Sequence, residues 1–255
     1  MHFGRSLPLF VALFTFILLE IFFIKPKFIY FAATLIILLI ISAARRLTRH
    51  SLIDKTWWNM IILPIIFSSS LIAYSVLLPK TNLFLSQVLS FLNAGFLFFY
   101  LRAVYFYLIL PSAEKKIGLE NISSYGNFLA LFFVSATVYG MQSFLNTPIW
   151  LLISIFLLLS GLLTYQVFWS NRISVNNGFI YILICCLVLT ELAWSLFYLP
   201  FNFNVSGFIL AIYYYILIGL TRAYLQDRLN NRVIKLYLGL GLFSIFAILF
   251  TARWL

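Results

Sequence analysis

Long apolar runs alternate with short polar segments along this chain. A membrane-spanning helix needs about 20 mostly apolar residues. The pattern predicts nine such helices, at residues 7–24, 28–44, 57–78, 84–109, 127–145, 149–169, 179–199, 206–222 and 235–252. Only the polar connector at 111–126 is long, and it has no room for a soluble domain. We therefore predict an all-α, polytopic transmembrane helix bundle in which residues 1–255 form a single integral membrane domain.

The composition agrees with this fold. Of the 255 residues, 64% are hydrophobic and only 9% are charged, whereas a soluble domain needs about a quarter charged residues. Most of the surface must therefore face the lipid bilayer. The formal charge of +11 is typical of basic loops held on the cytoplasmic side, so we expect no nucleic acid partner.

The basic residues also predict the orientation. If the N-terminus is cytoplasmic, 12 of the 17 lysines and arginines lie on the inner side. These are Arg5, Arg45, Arg46, Arg49, Lys55, Lys115, Lys116, Arg172, Arg222, Arg228, Arg232 and Lys235, against Lys25, Lys27, Lys80 and Arg253 outside. The bias predicts a multi-pass protein of the cell inner (plasma) membrane with the C-terminus outside. We expect the cluster RRLTRH at 45–50 to bind anionic lipid headgroups.

A shift of 120 residues aligns the chain with itself. Ala73-Tyr74-Ser75 falls on Ala193-Trp194-Ser195, and Arg102-Ala103 falls on Arg222-Ala223. The alignment suggests repeat units at 6–105 and 126–225 with an extra helix at 235–252, a parallel arrangement of four and four helices plus one. Some transporters contain parallel repeats, although duplication also occurs without transport.

Arg102 lies in the middle of the apolar stretch FFYLRAVYFY. It is 19 residues from an outer boundary near residue 83, and this is roughly 28 Å of helix, close to the full hydrocarbon thickness. We expect Arg102, like Arg222, to anchor its helix at the inner boundary by extending its guanidinium toward the headgroups. The alternative is a buried functional charge.

Two carboxylates fall inside predicted spans, Glu20 and Glu191. A carboxylate in the bilayer either faces a polar cavity or carries a proton, and it is a functional candidate by default. Both are predicted in the outer half of the bilayer. Trp194, Ser195 and Tyr198 follow Glu191 on the same helix face, where their N–H and O–H groups can donate to it.

Polar stripes with helical spacing occur in other spans. They comprise Ser86, Ser90 and Asn93, then Ser135, Tyr139 and Gln142, and finally Tyr213, Tyr214 and Tyr215. If these faces converge, they form a polar substrate-binding pocket from Glu191, Trp194, Tyr198, Asn93, Tyr214 and Glu20. The alternative is that small and polar residues, Ser68-Ser69-Ser70 included, serve helix packing.

Reactive groups are scarce. The two histidines, His2 and His50, lie in predicted aqueous segments, which argues against haem or an intramembrane zinc protease. The adjacent Cys185 and Cys186 point in different directions on a helix, so we expect neither a disulfide nor a metal site. The chain has no nucleophile elbow and no phosphate-binding loop. We expect no catalytic residue and no cofactor.

The segments ELAWSLFYLP and LAIYYYILIGLTRAYL resemble uncharacterised multi-pass bacterial inner-membrane proteins. The resemblance covers mainly the last 65 or so residues. It implies the fold and the location but no activity, and it adds no site residues.

Three functions follow from these patterns. The first is a small-molecule or ion transporter or permease, with Glu191 as its proton-binding or substrate-binding group. The second is a non-catalytic scaffold or sensor subunit that contacts another membrane protein or a second copy of itself. The sequence supports these two about equally. An enzyme acting on lipid has the least support, because catalytic groups are missing.

Overall fold

A computed structural model describes residues 2–49, 57–78, 83–109, 118–173 and 175–251. Within these ranges the chain forms nine α-helices and no strand. They are α1 (His2–Ile24), α2 (Ile29–Thr48), α3 (Trp58–Val76), α4 (Leu83–Ile109), α5 (Leu119–Leu145), α6 (Ile149–Ser170), α7 (Val175–Leu196), α8 (Phe203–Leu225) and α9 (Asn231–Thr251), with a 3-10 turn at Pro26–Phe28. His50, Lys55, Lys80, Asn82, Lys115, Lys116 and Arg253 lie outside the described residues.

The predicted all-α membrane fold is confirmed. Each of the nine described helices is long and apolar enough to span a bilayer. Proline inside a helix, at Pro8 and Pro64, is tolerated in such spans because neighbouring groups satisfy the freed carbonyls. The protein is therefore a multi-pass membrane protein.

Several helix boundaries differ from the prediction by three or more residues, and two of these differences have a local explanation. α5 begins at Leu119, eight residues before the predicted span, so that half of the polar connector is helical. Glu120 in its first turn favours this start, because a negative charge complements the helix N-terminus. α7 ends at Leu196, three residues early, and Pro200 follows four residues later. The residue before a proline is disfavoured in a helix, so the chain turns there.

The chain divides into two compact units, residues 1–126 and 127–255. The division falls inside α5, whose first eight residues belong to unit 1. Whether the units descend from a duplication stays a prediction.

Unit 1 has its core where α1 to α4 meet. Leu19, Ile36, Ile40, Ile61 and Leu97 contribute one or two side chains from each helix, and all are buried. Phe96 also stacks on Phe67, with ring centroids 4.0 Å apart. Apolar packing of α1 to α4 thus fixes the rotation of each helix, which sets where its polar side chains point.

Unit 2 relies on close backbone approach. A Cβ atom at Gly207 of α8 would lie 2.9 Å from the backbone nitrogen of Ala136 in α5, so only glycine fits there. The α8–α9 contact is reciprocal. Gly219 of α8 accepts the ring of Tyr237, while Gly241 of α9 accepts Ile216. α9 is otherwise almost entirely exposed.

Candidate functional site

In unit 1, Glu20 has a polar partner on another helix. The Gln87 amide of α4 donates a 2.7 Å hydrogen bond from Nε2 to Oε2 of Glu20 in α1. The other carboxylate oxygen, Oε1, is buried and accepts no hydrogen bond from the described residues. Buried polar atoms normally have a partner, so this oxygen marks a point where unit 1 can accept a proton or a donor.

Asn93 is fully buried in the same unit. The Ser68 hydroxyl of α3 donates a 2.8 Å hydrogen bond to Oδ1 of Asn93. Nδ2 of Asn93 and Oγ of Ser90, one turn earlier on α4, are buried without a partner among the described residues. The predicted stripe Ser90–Asn93 therefore faces the interior of unit 1 and not lipid.

Glu191, the strongest sequence candidate, lies in unit 2 on the exposed surface of α7. Trp194 and Tyr198 are exposed as well, at 53% and 69%. The Trp194 indole donates a 3.1 Å hydrogen bond to the Tyr198 hydroxyl, and Ser195 donates to its own helix at Leu192 O. None of these side chains hydrogen-bonds to Glu191 in the described structure.

The six residues predicted to form one site are divided between the units, two in unit 1 and four in unit 2, and the four in unit 2 do not form a single cluster. Trp194 and Tyr198 contact each other on the surface of α7, whereas Tyr214 of α8 is buried, with 2% exposure. Glu20 and Asn93 belong to unit 1. Within unit 2, then, Glu191 and Tyr214 occupy different environments, one exposed and one buried.

Unit 2 has a polar pocket of its own. It has a volume of about 310 Å³ and lies where α5 and α7 end and α8 begins. Its lining residues are Tyr139, Gln142, Ser143, Asn146, Leu196, Phe197, Leu199, Phe201 and Ser206. Small-molecule sites have volumes of about 300–1,000 Å³, so this pocket suits only a small ligand. It includes Tyr139 and Gln142 of the predicted stripe.

Two of the pocket's hydroxyl protons are already engaged. Tyr139 donates its hydroxyl proton to Ala193 O at 2.8 Å, and Ser143 donates its proton to Tyr139 O at 3.0 Å. These two hydroxyl oxygens keep lone pairs as acceptors, and the Gln142 and Asn146 amides add both acceptors and donors. The C-termini of α5 and α7 at the pocket carry partial negative charge, and the N-terminus of α8 carries partial positive charge.

Aromatic rings complete the lining. Tyr139 and Phe197 pack with ring centroids 4.6 Å apart, and Phe201 adds a third ring. None of the nine lining residues carries a formal charge. Oxygen lone pairs beside aromatic faces suit a ligand that donates hydrogen bonds and carries positive charge.

The predicted anchoring arginines make specific contacts. The Arg102 guanidinium lies 5.7 Å and 5.8 Å from the ring centroids of Phe98 and Phe106, one turn away on either side. Arg222 donates from Nη1 to Oδ1 of Asn171, at 3.2 Å, and so connects the ends of α8 and α6. Arg222 lies in the last turn of α8, whereas α4 continues seven residues beyond Arg102 to Ile109. The contact of Arg222 fits a structural role at a helix end, and the anchoring role of Arg102 stays a prediction.

The basic cluster at the end of α2 is exposed. Arg45 lies 4.5 Å above the ring of Trp57, which stacks on Trp58. Arg46 and Arg49 lie beside it on the surface. Stacked indoles next to guanidinium groups are typical of the membrane interface, where the sequence analysis places this cluster.

No described group of His, Cys, Asp or Glu could hold a metal ion. Cys185 and Cys186 are free and buried, and the Cys185 thiol lies 3.6 Å from the Thr221 hydroxyl.

Sequence reasoning missed several of these residues. One of them is Gln87. It lies four residues from the start of α4, and Glu20 lies four residues from the end of α1. This matching depth is a signal from which the pair could have been predicted. Ser143 and Asn146 were missed because they lie at the end of a span, where polar residues are ordinary. Their position is set by the turn after α5, where Asn146 has a positive φ of 49°.

The chain belongs to the family described as "Protein of unknown function (DUF5656)", which matches residues 21–251. No curated protein and no solved structure matches it.

Proposed function

We propose that this membrane protein, whose family has no assigned activity, is a small transporter for an organic ammonium solute. The observation that carries the proposal is the uncharged, polar and aromatic pocket of unit 2. Its volume of about 310 Å³ suits a molecule the size of choline or a short alkylamine.

The lining supplies the recognition. An ammonium group is bound by hydrogen-bond acceptors and aromatic faces, and it is repelled by lysine and arginine. The lining has acceptors and aromatic rings and includes neither lysine nor arginine. The two negative helix C-termini of α5 and α7 outnumber the one positive N-terminus of α8 at the pocket, so the helix ends favour a cation without a buried formal charge. A neutral lining also lets the solute leave again, as a transporter requires.

Unit 1 supports a coupled mechanism. Oε1 of Glu20 is buried and accepts no hydrogen bond from the part of the chain that the structure describes, and the Gln87 amide donates to Oε2. A carboxylate with one free oxygen can take up and release a proton, and intramembrane carboxylates are common in proton relays. In this proposal Glu20, not Glu191, is the proton-binding group.

The test uses purified protein in proteoliposomes and radiolabelled choline and methylammonium as probes. Uptake should exceed that of protein-free vesicles. Gln142→Leu should reduce uptake at least tenfold, because it replaces a polar lining group. Ser154→Ala is the matched control. Ser154 is an exposed serine on α6 whose hydroxyl donates to Trp150 O within its own helix, so uptake should be unchanged.

The coupling step has a separate readout. An opposing proton gradient should change the uptake rate of the unmodified protein, and Glu20→Gln should remove that dependence without abolishing uptake. If neither probe enters faster than into empty vesicles, the assignment of the ammonium solute is wrong.

A second function, a scaffold or sensor subunit, is favoured by the exposed face of α7. Glu191 is an exposed carboxylate on a membrane-spanning helix, and no described residue pairs with it. Such a group is costly against lipid and is usually covered. A partner helix with a lysine, an arginine or another donor would cover it.

A photo-reactive amino acid at position 187, one turn before Glu191 and exposed, tests the second function in native membranes. We expect one discrete adduct there and none from position 236, an exposed leucine on α9. Equal labelling at both positions, or at neither, would count against a partner on α7.

A further inference from the structure

A second cavity lies in unit 1, between the first half of α1 and the second half of α2. It is a groove of about 380 Å³. Leu7, Val11 and Ala43 are buried and form its floor, while Phe10 and Phe14 are about half exposed and form one wall. None of these residues belongs to the polar sites described above.

The groove ends at a positive charge. Arg46, in the last turn of α2, is the one charged side chain among the described residues of its lining. Arg49 follows one turn later and is exposed. The groove is therefore apolar along its length and cationic at the end where the helix meets the membrane surface.

We propose that this groove is a binding site for an anionic phospholipid, with one acyl chain along the floor and the headgroup phosphate at Arg46. The proposal does not depend on solute transport. It goes beyond the general expectation that a basic loop contacts headgroups, because it names one site and the course of the acyl chain within it.

The spacing of the lining fits an extended chain. Leu7, Phe10 and Phe14 on α1, and Leu39, Ser42 and Arg46 on α2, recur every three or four residues. Each stripe covers seven residues, which is about 10 Å of helix. The groove thus runs parallel to both helices, the direction in which acyl chains lie in a bilayer.

The small residues of α2 create the space. Ser42 and Ala43 leave room opposite the phenylalanine wall. The Ser42 hydroxyl donates to Leu39 O at 2.9 Å, so its proton is not offered to a ligand. A lining with one charge at one end and apolar residues elsewhere matches an amphiphilic ligand. Basic pockets between membrane helices on the cytoplasmic side bind anionic headgroups.

The experiment is native mass spectrometry of the full-length protein in detergent, titrated with dioleoyl phosphatidylglycerol or dioleoyl phosphatidylcholine. We expect tighter binding of the anionic lipid. Arg46→Gln should reduce that preference about fivefold, the effect of one basic residue near a headgroup. Ser42→Phe should fill the groove and weaken binding of both lipids.

Two matched controls separate the site from the general surface. Arg232→Gln removes an exposed basic residue on α9, and Ser154→Phe adds a ring at an exposed serine of α6. Both should bind lipid like the unmodified protein. Because all four positions are exposed on helices, each variant is expected to fold, and its thermal unfolding in detergent checks this.

Several outcomes would overturn the proposal. Equal affinity for the two lipids in the unmodified protein would remove the headgroup site. An equal loss in Arg232→Gln and Arg46→Gln would indicate diffuse surface charge. Unchanged binding in Ser42→Phe would place the chain elsewhere, and a dimer that Ser42→Phe dissociates would make the occupant a second copy.

Discussion

Glu20 and Glu191 hold comparable positions in their helices but have different surroundings. Glu20 lies four residues from the end of α1, and Glu191 lies five residues from the end of α7, or about 6–8 Å in each case. Glu20 is half-buried and accepts from Gln87, whereas Glu191 is exposed without a described partner. Glu20 thus has a hydrogen-bond donor within unit 1, whereas a donor for Glu191 would have to come from outside the described part of unit 2.

The difference extends to how each unit handles polarity. Unit 1 buries Ser90 and Asn93 on α4. Unit 2 also has buried polar pairs, such as Asn127 with Gln166, but in addition it has a polar pocket at its helix ends. Similar residue types therefore indicate different roles. A polar residue inside a unit can bond to a neighbouring helix, as Ser68 does to Asn93, whereas one at the helix ends of unit 2 lines a pocket.

The largest expected effect concerns the tight contact of unit 2. Gly207→Ala places a Cβ atom 2.9 Å from a backbone nitrogen that cannot rotate away, so we expect a loss of about 1–3 kcal/mol in stability. Thermal unfolding in detergent measures it. Gly95→Ala in unit 1 is the control, since no atom lies within 4 Å of the new Cβ. Equal effects would show that the tight approach of α5 and α8 does not exist.

The next effect concerns the buried hydrogen bond of unit 1. Asn93→Ala removes the acceptor of the Ser68 hydroxyl, and an unsatisfied buried hydroxyl costs about 1–3 kcal/mol. Ser68→Ala combined with Asn93→Ala should be less destabilising than the sum of the two single changes. Strict additivity in this double-mutant cycle would contradict the contact.

Replacing each carboxylate by leucine tests the comparison most directly, because the two substitutions should change the stability of the protein in opposite directions. Glu20→Leu removes the acceptor of Gln87 and should cost about 1 kcal/mol. Glu191→Leu exchanges an exposed carboxylate for an apolar group and should stabilise the protein by about 1 kcal/mol, since such charges are unfavourable in spans. Unfolding in nanodiscs without other proteins gives both values, and a loss in both would make the surroundings equivalent.

The smallest effect concerns Arg102. Its contacts with Phe98 and Phe106 are worth about 0.5–1 kcal/mol if exposed. Arg102→Lys keeps the charge and should lose only part of that, while Arg102→Leu should lose all of it. A cost of several kcal/mol in unfolding experiments on Arg102→Leu would instead indicate a buried functional charge.

Much of the fold could be predicted from sequence, because the length of an apolar run is a direct consequence of bilayer thickness. The start of α5 could not, since residues 119–126 are too polar to resemble a span. That segment is helical for local reasons, namely the acidic residue in its first turn and the backbone bonds from Asn121 and Ile122 to Gly118 O.

The candidate site was harder to predict because most faces of these helices are apolar. A span that is hydrophobic all round gives no signal about which face points inward. The depth of Glu191 could be counted, but its exposure depends on the rotation of α7. The same limitation hid the pairing of Glu20 with Gln87, which lies 67 residues away.

The reciprocal glycine contacts of α8 and α9 have a mechanical consequence. Each helix supplies one notch and one bulky side chain, Gly219 for Tyr237 and Gly241 for Ile216. Translating or rotating one helix against the other would break both contacts at once, because each bulky side chain would meet a residue larger than glycine. α9 is thus fixed in register against α8, so a spectroscopic label on α9 would report movements of α8.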